Sequence, residues 1–264
     1  MTAVKDPKKT APYGYLNPAN RDCVVSMKKG QNIAGFSVGV LYIDDVWYPL
    51  LPGNVVNGNT FDFPVRLRAV EGLNVQNLFA AADRVGEQVL KTAHKLVSEG
   101  CRAISSACGF FGNYQKLVAE ELDVPVALSS LMQINFILPL LKPSQKLGVL
   151  TADQSSLTDK LLANCGVTDK SRLVVRDLRH EPEFSCILEG RGSFDNGKVE
   201  REVVEKALSC FEEGDIGAIL LECSDMPPYA WAVQAVCGVP VFDFTTLIRW
   251  LHSAVCQKPY CGFI

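Results

Sequence analysis

Ala103-Ile104-Ser105-Ser106-Ala107-Cys108 and Ala218-Ile219-Leu220-Leu221-Glu222-Cys223 are two short apolar runs, each closed by a cysteine. Sixteen residues beyond each cysteine a second short run begins, Val124-Pro125-Val126 after Cys108 and Val239-Pro240-Val241 after Cys223. Upstream, Gly39-Val40-Leu41 recurs as Gly148-Val149-Leu150. Equal spacing of this kind marks one supersecondary unit used twice. The runs have the length and composition of buried strands, and Ser37 to Tyr42 reads the same way. Between strands, Val85, Val89, Leu90, Ala93 and Leu96 fall at the spacing of one buried helix face, and Gly100 ends that helix. Strands alternating with helices predict parallel sheets. The expected fold is therefore α/β, in two similar halves. Residues 1–137, completed by 242–264, form the first domain in this reading, and residues 138–241 the second.

Composition narrows the classes of function. The chain has 264 residues, against about 150 for a typical domain. Apolar residues make up 48% and charged residues 21%, which leaves little room for extended disorder. Lys and Arg number 26 against 29 Asp and Glu, a net charge of -3 with no basic block, so a nucleic-acid or anionic-membrane partner is not expected. The 10 cysteines sit inside apolar stretches and read as reduced thiols. Met1 to Thr10 is polar and lysine-rich without an apolar segment, which predicts a cytoplasmic protein with no signal peptide. Residues 1 to 35 read as an irregular arm, and Pro49 to Pro64 as a Gly/Asn/Pro-rich loop. The uncharged run from Val124 to Leu141 is long enough to raise a membrane span, but Pro125, Pro139, Ser129, Ser130, Gln133 and Asn135 argue against it.

The paired cysteines carry the chemistry. A helix is expected just past each one, capped by Asn113 in the first half, with Leu117, Val118 and Leu122 turned inward. In the second half Ser224 or Asp225 is the expected cap, with Pro227 and Pro228 in the first turn. A thiol at a positive helix end has its pKa drawn from about 8.5 toward neutrality, and the same free N–H groups can hold a carboxylate. If the halves pack about a two-fold axis, Cys108 and Cys223 approach a common cleft from opposite sides. One base and one acid on opposite faces of a carbon is the arrangement that inverts a stereocentre. Strand-end positions in α/β sheets are also where ligands bind. The other eight cysteines read as core residues.

These motifs resemble the aspartate/glutamate racemase superfamily, which includes hydantoin racemases, maleate isomerases and arylmalonate decarboxylases; the likeness spans residues 36 to 255. Pro52-Gly53-Asn54-Val55-Val56-Asn57 with Thr60-Phe61 and Phe63-Pro64-Val65, the Ser106-Ala107-Cys108-Gly109-Phe110 turn, Ser129-Ser130-Leu131 and Glu222-Cys223-Ser224-Asp225-Met226-Pro227-Pro228-Tyr229 resemble a less characterised branch of it. That branch usually carries Asp at the place of Asn54 and commonly Thr at the place of Ser224. The resemblance implies an α/β fold of two similar Rossmann-like three-layer domains related by a pseudo-two-fold axis, with the active site between them. It also implies a cofactor-independent and metal-free enzyme with Cys108 and Cys223 as the acid/base pair, and backbone amides of Gly109 and Ser224 on the substrate carboxylate. Asn54, Asn57, Thr60, Ser106, Phe110, Ser129, Ser130 and Asp225 complete the expected substrate-binding set. The Asp-Ser-Gly signature of glutamate racemase is absent, and Asp225 stands where that enzyme has His, which disfavours free glutamate as substrate.

Three functions stay open on the residues alone. The first is a racemase or epimerase acting on a small carboxylate or similar carbon acid. The second is a decarboxylase or cis/trans isomerase working through one cysteine. The third is a non-catalytic small-molecule binding protein. Gly35-Phe36-Ser37-Val38-Gly39 matches a hydrolase nucleophile elbow, with His180 and His252 as later bases, but its strand follows the serine instead of preceding it. Gly190-Arg191-Gly192 fits no dinucleotide fingerprint. His252, Cys256 and Cys261 lack the paired spacing of a zinc site, and Cys261-Gly262-Phe263-Ile264 is a poor prenylation box. A homo-oligomer stays open: the apolar stretch Leu78 to Ala82 fits a subunit contact or core packing equally.

Overall fold

The computed structural model describes Val25, Met27 and residues 29–264. The expectations placed on Met1 to Thr10, and most of those on the arm, lie outside the described residues. Among the described residues, eight strands and nine α-helices follow in chain order: β1 Val38–Asp45, β2 Val65–Asn74, α1 Val75–Phe79, α2 Asp83–Ser98, β3 Ala103–Ser106, α3 Gln115–Glu121, β4 Val126–Ala127, α4 Ile134–Ile137, β5 Lys146–Thr151, α5 Asp159–Asn164, β6 Leu173–Asp177, α6 Cys186–Glu189, α7 Asn196–Ser209, β7 Ile216–Leu221, α8 Ala230–Cys237, β8 Val241–Phe242 and α9 Phe244–Val255. The strands form two four-stranded parallel sheets, ordered β2-β1-β3-β4 and β6-β5-β7-β8.

The echo in the sequence is an echo in register. Gly39 pairs with Ile104, and Ile104 with Val126; Gly148 pairs with Ile219, and Ile219 with Val241. The Ile104 amide donates to Pro125 O and the Ile219 amide to Pro240 O, each at 2.9 Å. Both glycines are small because a neighbour occupies the space of a side chain. A Cβ on Gly39 would lie 3.0 Å from Leu96 and 3.1 Å from Cys101 Sγ, and one on Gly148 would lie 2.5 Å from Ile219 and 3.1 Å from Cys210 Sγ. Each repeat thus brings a cysteine close over its first strand in the same way.

Side chains alternate across the sheets as strand geometry requires. In β1, Leu41 and Ile43 turn to the core shared with α2, while Val38 and Val40 turn to α9 through Phe244, Leu247, Ile248 and Leu251. In β7, Ala218 and Leu220 join the first core, and Ile219 and Leu221 pack with Val199, Val203 and Val233. The first core therefore runs continuously from one sheet to the other. Leu78 is fully buried in it, so core packing accounts for the apolar start of the 78–82 stretch. The uncharged run from Val124 holds β4, a 3-10 turn and the short α4, and among the described residues no helix is long and apolar enough to cross a membrane.

Several expectations need correction. The chain past each cysteine opens as a 3-10 turn, Gly109–Tyr114 and Pro227–Tyr229, before α3 and α8 begin. Cys108 and Met226 stand at the caps, so neither Asn113 nor Ser224 nor Asp225 serves as one; Asn113 instead donates to Phe110 O at 3.0 Å. Leu117 is 39% exposed instead of inward. The periodicity reading also missed β2 and α1, although the alternation of Val65-Arg66-Leu67-Arg68-Ala69 is itself the signal of a half-buried strand.

Candidate active site

Both cysteines sit at the carboxyl ends of equivalent strands, and matching turns follow them. Ala107 N donates to Leu41 O at 2.7 Å and Glu222 N to Leu150 O at 2.8 Å; Phe111 N reaches Cys108 O, and Met226 N reaches Cys223 O, at 3.2 Å each. Cys108 and Cys223 are 8% and 5% exposed; Cys108 adds to the rise in the Cys223 pKa, and both thiols act on Tyr48. The structure thus brings the two thiols into one buried cluster.

Asp225 organises the Cys223 side. The Cys223 thiol donates to Oδ2 at 3.5 Å, Tyr48 O–H donates to the same oxygen at 3.3 Å, and Asn54 Nδ2 donates to Oδ1. Burial raises the Asp225 pKa to about 6 against the opposing pull of these donors. Asn54 is positioned by its own loop, where its Oδ1 accepts from Val56 N at 2.8 Å. Thr60 closes that loop, with Oγ1 accepting from Gly53 N at 2.9 Å and donating to Asn54 O at 2.5 Å. Asn57 donates to Leu50 O and accepts from Asn59 N, both at 2.8 Å. Thr60 and Asn57 therefore spend their hydrogen bonds on shaping the loop, and Asn54 is the member of the three that reaches the thiol cluster.

Glu222 occupies the Cys108 side. It is fully buried, with Thr151 Oγ1 donating to Oε2 at 2.9 Å and the Ala152 amide a further donor. Its Oε1 has no hydrogen-bond partner. That oxygen lies 1.7 Å from the place a Cβ on Gly109 would take, so residue 109 is glycine because the carboxylate fills its side-chain space. Burial raises the Glu222 pKa to about 7, assisted by the charges of Asp153 and Asp225. An unpartnered buried acceptor costs about 1–3 kcal/mol, a cost that folds tolerate mainly at functional positions.

The expectation that helix ends draw the thiols toward neutrality fails. Burial pushes the Cys108 thiol well above its ordinary pKa, with Glu222 adding to the rise and the Phe110 amide opposing it. Burial pushes Cys223 up as well, reinforced by Asp225 and Glu222. A short 3-10 turn supplies too little dipole to compete with two buried carboxylates.

Of the remaining expected residues, Ser106 Oγ donates to Leu128 O at 2.5 Å and lies 3.1 Å from Cys108 O, tying the ends of β3 and β4 together. Ser130 Oγ donates to Glu222 O at 2.9 Å and links the halves. Ser129 Oγ accepts from Leu131 N at 3.2 Å as the cap of a 3-10 turn. Ser224 is buried beside Cys223, and Phe110 is buried with its ring centroid 4.2 Å from that of Phe79. Phe79 also lines a cleft of about 500 Å³ between α1 on one side and Asp153, Arg179 and His180 on the other. Its lining residue Phe79 connects it to Phe110, two residues from Cys108, while neither cysteine lines it. Tyr48 and Glu222 were not singled out from sequence, although an acidic residue closing the run Ile216-Gly217-Ala218-Ile219-Leu220-Leu221 is a signal, since Glu is rarely fully buried unless paired. The Ser37 hydroxyl meets His252 Nδ1 at 2.6 Å, and that imidazole stacks on Phe63 at 3.6 Å. Ser37 immediately precedes β1, at the edge opposite to the two cysteines.

Solved racemases and an arylmalonate decarboxylase share this fold. The allantoin racemase of Klebsiella pneumoniae superposes with a TM-score of 0.58 at 18% identity, covering 86% of this chain and 96% of that one. Unliganded arylmalonate decarboxylase superposes with a TM-score of 0.54 at 16% identity, covering 85% and 94%. No protein-family model matches the chain. In sequence it is 31% identical over 244 residues to the dimethylsulfoniopropionate lyase of Durusdinium sp. clade D, covering 89% of this chain and 80% of that protein. The chain belongs to the family of the dimethylsulfoniopropionate lyases.

Proposed function

We propose that this enzyme is a lyase acting on a small sulfonium carboxylate of the dimethylsulfoniopropionate type. One observation supports this reading beyond the family likeness: two buried carboxylates, Asp225 and Glu222, accompany the two thiols. Such a pocket disfavours a purely anionic guest and suits one carrying a fixed positive charge, because a sulfonium offsets the buried negative charge without needing to donate a hydrogen bond.

The reaction needs one base. A cysteine thiolate takes a proton from the carbon next to the carboxylate; the electrons of that C–H bond form the C=C bond, and the C–S bond breaks. Dimethyl sulfide leaves as a neutral molecule and acrylate remains, so charge and atoms balance with the proton on the cysteine. The backbone amides of Gly109 and Ser224, next to the two thiols, are the proposed seats of the substrate carboxylate. The 500 Å³ cleft is its proposed entrance; its lining carries Asp153 and Glu189 as well as Arg179, which is ion-paired with Asp153. The test is incubation of the purified protein with dimethylsulfoniopropionate, with dimethyl sulfide followed by gas chromatography and acrylate by proton NMR. No release of either product above a heat-inactivated control refutes the proposal.

The equivalent placement of the thiols favours a second reading, a racemase or epimerase without cofactor, in which one thiol removes a proton and the other returns one to the opposite face. Heavy water separates the two. A racemase carries solvent deuterium into the stereocentre of a recovered substrate, whereas the lyase consumes its substrate.

A further inference from the structure

We propose that Glu222 is the proton acceptor of the Cys108 thiol, exchanging the proton through its Oε1. This inference rests on the reading of the thiols as proton carriers, and it assigns to Glu222 a role not foreseen from the sequence.

Three observations meet at this carboxylate. Its two oxygens differ: Oε2 is engaged by Thr151 Oγ1, with the Ala152 amide as a further donor to the carboxylate, while Oε1 is buried with no partner. A proton arriving on Glu222 therefore goes to Oε1. That oxygen lies in the side-chain space of Gly109, the residue directly after Cys108. Glu222 is also the charge that acts most strongly on the Cys108 thiol. Asp225 is differently placed, since Tyr48, Asn54 and the Cys223 thiol already donate to it. Its anion is the better satisfied of the two, and it is the weaker proton acceptor, with a pKa raised to about 6 against about 7 for Glu222.

The step is a simple transfer. No hydrogen bond joins Cys108 to Oε1 at rest, so the step starts with the thiol turning toward that oxygen; the S–H bond of Cys108 then breaks, its electrons stay on sulfur as thiolate, and the proton forms an O–H bond on Oε1. The net charge of the pair does not change, which lowers the cost of making a thiolate in a buried site. The thiolate left on Cys108 is the form able to take a proton from a bound carbon. Other titratable groups around Glu222 are Asp153 after β5, Cys165 after α5, and Cys223 and Asp225 on its own segment. The carboxylates among them oppose its ionisation and so make it a better proton acceptor.

The test is a carbon-13 NMR titration of protein labelled at glutamate Cδ and cysteine Cβ, as wild type, Cys108→Ser and Glu222→Gln. In wild type the Glu222 and Cys108 signals are expected to report a common step near neutrality. In Cys108→Ser the Glu222 midpoint moves by about half a pH unit or more, and in Glu222→Gln the neutral step vanishes from Cys108. A Glu222 curve unchanged by Cys108→Ser overturns the proposal, and so does a Cys108 curve unchanged in the Gln variant. The comparison of wild type with Cys108→Ser leaves Glu222 intact, so it stands even if the Gln variant does not fold. Glu222→Asp, which keeps a carboxylate, is expected to retain a neutral-range step. The titration needs no substrate, which separates failure of this proposal from failure to release dimethyl sulfide. In turnover, Glu222→Gln is expected to lower kcat about 100-fold with little change in KM and to abolish the acidic limb of the pH profile.

Discussion

Replacing Glu222 with Gln separates the energetic cost of this carboxylate from its chemistry. Burial raises its pKa from the ordinary 4.5 to about 7. The folded protein therefore binds the Glu222 proton more tightly than the unfolded chain does, and stability falls as pH rises from about 4.5 to about 7. With each pH unit worth about 1.4 kcal/mol, the full penalty above neutrality is about 3 kcal/mol, of which roughly 1 kcal/mol is already present at pH 5. The Gln variant has no such titration. Its stability relative to wild type should therefore be more favourable by about 2–3 kcal/mol at pH 8 than at pH 5, whatever constant cost or gain the amide itself introduces. For a chain of this size that corresponds to a change of about 5–10 °C in the Tm difference. Thermal unfolding followed by circular dichroism at the two pH values measures it, and activity plays no part in the readout. A Tm difference between variant and wild type that is the same at pH 5 and pH 8 would refute the reasoning, because it would mean that Glu222 titrates alike in the folded and unfolded states.

The other predictions concern the residues around it. Cys108→Ser and Cys223→Ser should each lower dimethyl sulfide release, but unequally, with the base position losing about 100-fold or more, since an elimination uses one base and its leaving group needs no proton; equal losses would favour the racemase reading. Gly109→Ala drives a methyl group to within 1.7 Å of Glu222 Oε1 and 2.5 Å of its Cδ, so the carboxylate must leave Thr151. The expected result is about 1–3 kcal/mol of destabilisation in a denaturant titration, with turnover reduced alongside it. Asn54→Ala removes a donor from the Asp225 carboxylate and should raise its pKa further above about 6, read as an upward shift of the Asp225 midpoint in a carbon-13 NMR titration of protein labelled at aspartate Cγ. A midpoint that stays in place would show that Asn54 does not hold the Asp225 anion.

What could be read from the sequence and what could not divides along a physical line. The repeat was legible because strand pairing is local in kind: Gly39, Ile104 and Val126 must meet in register, and so must Gly148, Ile219 and Val241, so the same residue types recur at the same intervals. Cys108 and Cys223 were legible because each closes one of those strands. Their ionisation was not, because it depends on which groups of the opposite half come to rest beside them. Tyr48 and Asn54 reach Asp225 across 177 and 171 positions of chain, and Gly109 yields its side-chain space to Glu222 of the other repeat. The helix-end rule applied to each half by itself predicted activated thiols; docking of the halves instead surrounded them with carboxylates and desolvated both. Neither half holds the whole arrangement. Cys108 stands in the first with its carboxylate in the second, and Asp225 stands in the second with its Tyr48 and Asn54 donors in the first. Packing between the two repeats therefore sets the proton affinities of this site, and a change at their contact, such as Gly53 against Pro228, should alter thiol chemistry without touching either cysteine.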